Sequence, residues 1–283
     1  ERVLTIVISP ASPAHRDRPS QSRRPCGTVM NQAEHYDTIL DAYERHYYDE
    51  QALRYRRKYI YSHLFEGLSL DAARVLELAC GSGHNILEAL RLFPDMAISG
   101  LDISPRSCEA YRRNTGREAT VFDLTDPKAP PIAPADHVFV VGGLHHCVRD
   151  LPTTFDNVAK LVRPGGTLLM VEPNARFVLN AVRNYWYRKD HWFQEDDEAP
   201  LVHDDIAALA AGKFAAEKVT YLGGPAYFLV LNSLITRIPV GAKAFLAATT
   251  FVIDDVYNRI PGQFPFPMFI ARWRRVEASG GDA

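Results

Sequence analysis

Cysteine is scarce in this 283-residue chain: Cys26, Cys80, Cys108 and Cys147 stand far apart, and none forms a C-x-x-C pair. That spacing argues against a zinc site and a disulfide framework, and it fits a reducing, cytoplasmic setting. An excess of one charge is equally lacking. Thirty-two Lys and Arg against 34 Asp and Glu leave a formal net charge of −2, so there is no electrostatic case for a nucleic-acid partner. No apolar run reaches the roughly 20 residues that span a bilayer. The apolar share of 47% is ordinary for a globular chain with a sizeable core, and the length suits one elaborated domain better than two.

What is present centres on Val75 to Asn85, VLELACGSGHN. Val75, Leu76 and Leu78 read as a buried strand. Ala79, Gly81, Ser82 and Gly83 read as a small-residue turn, and Ile86 onward as a helix. Such a turn lets a ligand approach bare backbone near a positive helix N-terminus. A dinucleotide fingerprint would require a third glycine at position 86, which is Ile. An acid, Glu77, ends the strand instead. A pyrophosphate is repelled there, whereas a cationic ligand is attracted.

Three further strands follow. Residues 97–103 (AISGLDI) end near Asp102, about 20 residues past the glycines, where a carboxylate can accept ribose hydroxyls. Ser104 and Pro105 then predict a helix start. Residues 119–124 (ATVFDL) and 136–141 (DHVFVV) read as the third and fourth strands, the latter followed by GGLHHCVRDL. After a helix at 152–162, Pro164-Gly165-Gly166 predicts a turn and 167–172 a buried strand.

The stretch 75–85 resembles the first motif of class I (Rossmann-like) S-adenosylmethionine-dependent methyltransferases, E/D-x-G-x-G-x-G, with Ala79 at the first glycine position. Leu144-His145-His146 after the fourth strand and Arg163-Pro164-Gly165-Gly166 before the fifth match further landmarks. The resemblance spans about residues 70–174. It implies an α/β fold: a Rossmann-like seven-stranded sheet, mostly parallel with the last strand antiparallel, and helices on both faces. It also implies S-adenosyl-L-methionine as cofactor, with Glu77, Ala79, Gly81, Gly83, Asn85, Asp102, Ile103 and Gly142 around it. Asp123 would accept from the adenine amino group and the Leu124 backbone would meet a ring nitrogen. His146 and His145 are candidates for a general base, because imidazole titrates near neutral pH.

The remaining segments divide by pattern. Residues 1–29, rich in Pro, Ser and Arg, read as a flexible tail or leader. Residues 30–70 read as amphipathic helices, which the resemblance implies form an N-terminal helical cap with Tyr43 and Tyr55 near the methionyl end of the cofactor; the run Arg54, Arg56, Arg57, Lys58 reads as a solvated face from which one Arg could meet a carboxylate. Residues 71–174 are the cofactor-binding core. Residues 175–276 complete it, with pocket-building insertions at 175–200 and, as helices before the last strand, at 223–262; residues 277–283 read as a flexible end. Tyr185, Trp186 and Trp192 are candidates for the acceptor pocket. The apolar segments 226–238 and 242–257 suit a pocket, an oligomer contact or a membrane-surface or lipid contact.

The expected activity is methyl transfer, at oxygen or carbon, to a small, partly apolar acceptor such as a natural-product, lipid or glycan intermediate. No metal is expected, and nucleic-acid methylation is disfavoured because the N/D-P-P-Y/F signature is missing after the fourth strand. Methylation coupled to cyclisation and a non-catalytic cofactor-binding subunit are the alternatives.

Overall fold

Apolar residues on both faces of successive strands dictate a sheet covered on two sides. In the computed structural model, which describes residues 44–181 and 198–277, the described strands form one seven-stranded sheet. They are β1 (Arg74–Leu78), β2 (Ala97–Asp102), β3 (Ala119–Val121), β4 (Ala135–Val141), β5 (Val162–Pro173), β6 (Phe214–Leu222) and β7 (Met268–Arg275). Their spatial order is β3-β2-β1-β4-β5-β7-β6. Strands β1 to β5 pair in parallel, and β7 lies antiparallel between β5 and β6. This is the mostly parallel sheet with an antiparallel last strand that the sequence implies.

Alternate residues of one strand feed opposite cores. Phe139, Leu169 and Val171 pack with Ile86, Tyr111 and Phe251. Val138, Val140, Leu168 and Met170 pack with Phe155, Val158 and Trp273 on the other face. Helices α1 (Glu50–Tyr55), α2 (His84–Leu92), α3 (Pro105–Thr115) and α6 (Val240–Tyr257) supply the first core, and α4 (Leu151–Leu161) and α5 (His203–Leu209) the second. Burying each large apolar side chain stabilises by about 1.5 to 3 kcal/mol, so both faces are needed to hold the sheet. Local signals set the helix starts. The Ser107 amide donates to Ser104 Oγ at 3.0 Å and Pro105 opens α3; the Thr153 amide donates to Asp150 Oδ1 at 3.1 Å and caps α4.

Two boundaries differ from the sequence reading. Strand β3 stops at Val121, which leaves Asp123 in the following loop. Residues 164–166 are not a separate turn. Pairing steps from Ala135–Val162 to His137–Thr167, so the glycines bulge out within β5, where Gly165 takes a φ of +70°.

Two segments distant in sequence pack together as a lid. Helix α1 runs on through a wide π-helical turn (Arg56–Tyr61) and a last turn (Ser62–Leu64). Tyr47 donates to Asn232 Oδ1 at 3.0 Å, and Tyr59 donates to the Phe251 carbonyl at 2.8 Å. Buried Lys243 of α6 ion-pairs with Asp49.

Candidate active site

The chain runs from β1 outward through β2 and β3, then returns to β4 on the other side of β1. Open α/β sheets bind ligands at such a reversal, outside the carboxyl ends of the strands. A cavity of about 270 Å³ lies there. Its sheet wall carries Ala79, Gly81, Asn85, Asp102, Ile103, Asp123, Leu124, Gly142, His145 and His146, and its lid wall Tyr47, Tyr48, Arg56, Tyr227, Leu231 and Asn232.

The turn after β1 is left-handed at Ala79, Gly81 and Gly83, with φ of +49°, +52° and +88°. Ala79 thus adopts a conformation that L-residues avoid by about 1 to 2 kcal/mol. The Gly81 amide donates to Asp102 Oδ2 and the Ser104 amide to Oδ1, both at 2.9 Å. Those bonds fix the carboxylate at the end of β2 while it lines the cavity. Asp123 Oδ1 accepts from the amide and the hydroxyl of Thr125, at 2.8 and 2.7 Å. The Leu124 carbonyl accepts from Asn157 Nδ2 at 3.0 Å, which pins this loop.

Three candidate residues do not line the cavity. Gly83 is structural: a Cβ there would lie 2.4 Å from Thr115 Cγ2, so glycine lets α2 and α3 pack. Tyr55 faces away from the cavity side; its ring packs against Tyr59 and Phe251 because α1 buries that face against α6. Glu77 lies behind the wall, accepting from Asn85 Nδ2 at 3.0 Å, while its Oε2 is buried without a partner. Burial pushes Glu77 up to about 8, an effect that Asn85 and Arg56 oppose and Asp102 reinforces. Tyr43, Tyr185, Trp186 and Trp192 lie outside the described residues.

Beyond β4 the two histidines each meet a carboxylate. Glu172, at the end of β5, accepts from the backbone amides of Gly143, Leu144 and His145 at 3.1, 2.8 and 3.3 Å. Its Oε2 also lies 2.8 Å from His145 Nδ1. Glu198 Oε1 lies 3.1 Å from His146 Nδ1. The two rings lie with centroids 3.9 Å apart and planes tilted by 40°. Burial, and then the neighbouring His145, hold His146 below the usual imidazole range, while Glu198 acts in the opposite direction. His146 is therefore neutral near pH 7, with its Nδ1 side facing the Glu198 carboxylate.

Sequence reasoning missed Glu172, Glu198 and Arg56. Glu172 had a usable signal, as an acid ending a buried strand in the manner of Glu77. Glu198 had none, since its partner His146 lies on a distant segment of the chain. Arg56 sat within a basic run, yet it is buried: Nε donates to the Tyr47 carbonyl at 3.2 Å, Nη1 to Asn85 Oδ1 at 3.3 Å, and the guanidinium lies 4.5 Å from the Tyr48 ring centre. No cluster of three or more metal-ligating side chains is found among the described residues.

Residues 76–168 match the family described as a methyltransferase domain. The solved S-adenosylmethionine-dependent methyltransferase of Archaeoglobus fulgidus superposes with a TM-score of 0.53 at 15% identity, over 83% of this chain and 99% of that one. Residues 76–168 thus carry a methyltransferase domain, and the fold around them is that of the class I S-adenosylmethionine-dependent methyltransferase superfamily. Another structural neighbour of the methyltransferase fold is the N-methyltransferase NodS of Bradyrhizobium japonicum, solved with S-adenosyl-L-homocysteine, with a TM-score of 0.50 and 14% identity over 84% of this chain and 98% of that one. Among curated methyltransferases, the demethylmenaquinone methyltransferase of Symbiobacterium thermophilum is 27% identical over 121 residues, 40% of this chain and 48% of that protein. The ribosomal protein L11 methyltransferase of Dechloromonas aromatica is 34% identical over 100 residues, 35% of this chain and 32% of that protein. The chain therefore spans less than half the length of these curated relatives.

The residues present fit that superfamily's cofactor on their own chemistry. The cavity holds the carboxylates of Glu44, Asp102, Asp123, Glu172 and Glu198 against the single guanidinium of Arg56. Such a wall suits a cationic ligand rich in hydroxyl and amine donors and opposes a pyrophosphate. Gly81 adds bare backbone: a Cβ there would meet no protein atom within 4 Å.

Proposed function

We propose that the protein transfers the methyl group of S-adenosylmethionine to a hydroxyl of a small, partly apolar acceptor. When bound, the cofactor supplies an activated sulfonium methyl, so the chain's task is positioning, exclusion of water and removal of one proton. Asp102 would hold the ribose, Asp123 and Leu124 the adenine, and Asn85 with Arg56 the methionyl end. The relatives' names point to unlike acceptors, demethylmenaquinone and ribosomal protein L11, so the acceptor class is read from the cavity. Tyr227, Leu231, Leu234, Ile235 and Met268 give it an apolar side, and His145 and His146 a polar end.

The observation that carries this reading is the His146–Glu198 pair in the same cavity as the strand-end acids. His146 accepts the acceptor's proton at Nε2, and Glu198 stabilises the imidazolium through Nδ1–H. His145 is held by Glu172 in one orientation and shapes the pocket floor. Calorimetric titration with S-adenosylmethionine, S-adenosylhomocysteine and NAD, followed by an acceptor screen read by mass, tests the proposal. Binding of the first two and not of NAD, with a product one methylene heavier, supports it. Cofactor binding without any methylated product would favour a non-catalytic subunit.

A further inference from the structure

Helix α6 is built inside out. Its inward face carries Lys243 and Asp254, both fully buried. Lys243 ion-pairs with Asp49, and Asp254 accepts from the amides of Gly224 and Ala226 at 3.1 and 3.0 Å. Its outward face is apolar. Every exposed position from Gly241 to Ile253 is uncharged. At about 100° per residue, Phe245, Val252 and Val256 lie along one line. Their exposures are 87, 65 and 63%, with Ile253 beside them. A helix at a water interface normally shows the reverse arrangement.

We propose that this face of α6 rests on the surface of an anionic phospholipid bilayer. Charge complementarity favours that occupant. Exposed Arg237 precedes the helix and exposed Arg259 follows it, so cationic side chains bracket the apolar line at both ends, where phosphate headgroups meet acyl chains. The nearest carboxylate on the helix flank, Asp255, is neutralised by Lys58 at 2.6 Å. A second copy is a poorer fit by area. The helix has 18 residues. At a rise of 1.5 Å per residue and a width near 10 Å, its face offers about 270 Å². A two-fold contact would bury about 540 Å² in total, below the roughly 1,200 Å² of stable interfaces. No helix among the described residues is long and apolar enough to cross a membrane, so α6 would lie on the surface. The turn Tyr227–Leu231, which packs beside α6, lines the cavity.

The test is sedimentation of the full chain with extruded vesicles of phosphatidylcholine and phosphatidylglycerol, and of phosphatidylcholine alone, at low and high salt. The bound fraction should be at least fivefold higher on the anionic vesicles and should fall with salt. Phe245→Glu with Val252→Glu should lower binding at least tenfold. A milder Val252→Ser with Val256→Ser variant should lower it severalfold, with unchanged circular dichroism and melting temperature showing that the fold is intact. Arg237→Gln with Arg259→Gln should remove the anionic preference and leave weak apolar binding. Absence of binding by the folded wild type, or full binding by both apolar-face variants, overturns the proposal. So does a stable dimer in sedimentation velocity that Phe245→Glu dissolves.

Discussion

On the sheet wall of the cavity, Asp102, Asp123 and Glu172 stand at or just beyond strand ends and are gripped by amides of their own or adjacent loops. On the lid wall, the grip is between side chains far apart in sequence: Tyr47 to Asn232 spans 185 positions and Lys243 to Asp49 spans 194. The first wall needs only the sheet to form. The second needs residues 44–64 and 226–257 to meet, so it stands on long-range contacts: the apolar packing of Tyr55 and Tyr59 on Phe251 and a few buried polar bonds. Cofactor recognition should therefore follow the sheet wall, and stability of the closed cavity should follow the lid.

The largest break in that comparison comes from the lid. Asp49→Ala leaves Lys243 buried without its carboxylate, and should lower unfolding free energy by about 3 kcal/mol, read by urea denaturation. Affinity for S-adenosylhomocysteine, measured well below the melting temperature, should change far less. A parallel loss of both would mean that the two walls form one unit. Next, Asp102→Ala should weaken cofactor affinity through lost charge-assisted hydrogen bonds of about 1.5 to 3 kcal/mol, read by calorimetry.

Glu77 gives a pH-dependent test of the sheet wall. Its folded value of about 8 lies above the ordinary 4.5. The folded state therefore holds a proton that the unfolded chain releases, and stability from this group is present below pH 4.5 and lost as pH rises to 8. Glu77→Gln keeps an acceptor for Asn85 without the titration. It should match wild type at pH 5 and exceed it by about 1 kcal/mol or more at pH 9, by denaturation at both pH values. An unchanged difference across that range would show that Glu77 is ionised throughout.

The histidine pair sharpens the comparison, because Glu198 comes from a loop and Glu172 from a strand. Glu198→Gln removes the carboxylate that raises His146, so the imidazole should titrate at lower pH in NMR and the acid limb of turnover should follow it. Glu172→Gln should instead disturb the loop after β4 and lower the melting temperature. The smallest effect is expected from Ala79→Gly. Relief of the left-handed strain is offset by the greater freedom of unfolded glycine, leaving a net change within about 0.5 kcal/mol.

Legibility from sequence followed the same division. Strands and helix starts were readable because apolar alternation and caps are local: Ser104 caps α3, and Asp102 ends β2 at its expected distance from the glycine turn. Asp102 and Asp123 of the sheet wall were visible because the ends of β2 and β3 fix where their side chains emerge, whereas Glu172 was passed over at the end of a buried strand. Glu77 was read as a ligand contact, but its strand register sends it behind Asn85. Arg56 was unreadable because the π-helical turn separates it from exposed Arg54 and Arg57 and buries it against Tyr48. Glu198 and Asn232 were silent because their partners lie on other elements.

The account rests on an acidic, backbone-built wall that selects a cationic adenosyl ligand. Parallel calorimetric titration with S-adenosylmethionine, S-adenosylhomocysteine and NAD tests it most directly. The account predicts micromolar binding of the first two, weakened by about 1.5 to 3 kcal/mol in Asp102→Ala, and none of NAD. Binding of NAD, or no binding of either adenosyl ligand by the folded chain, would contradict it.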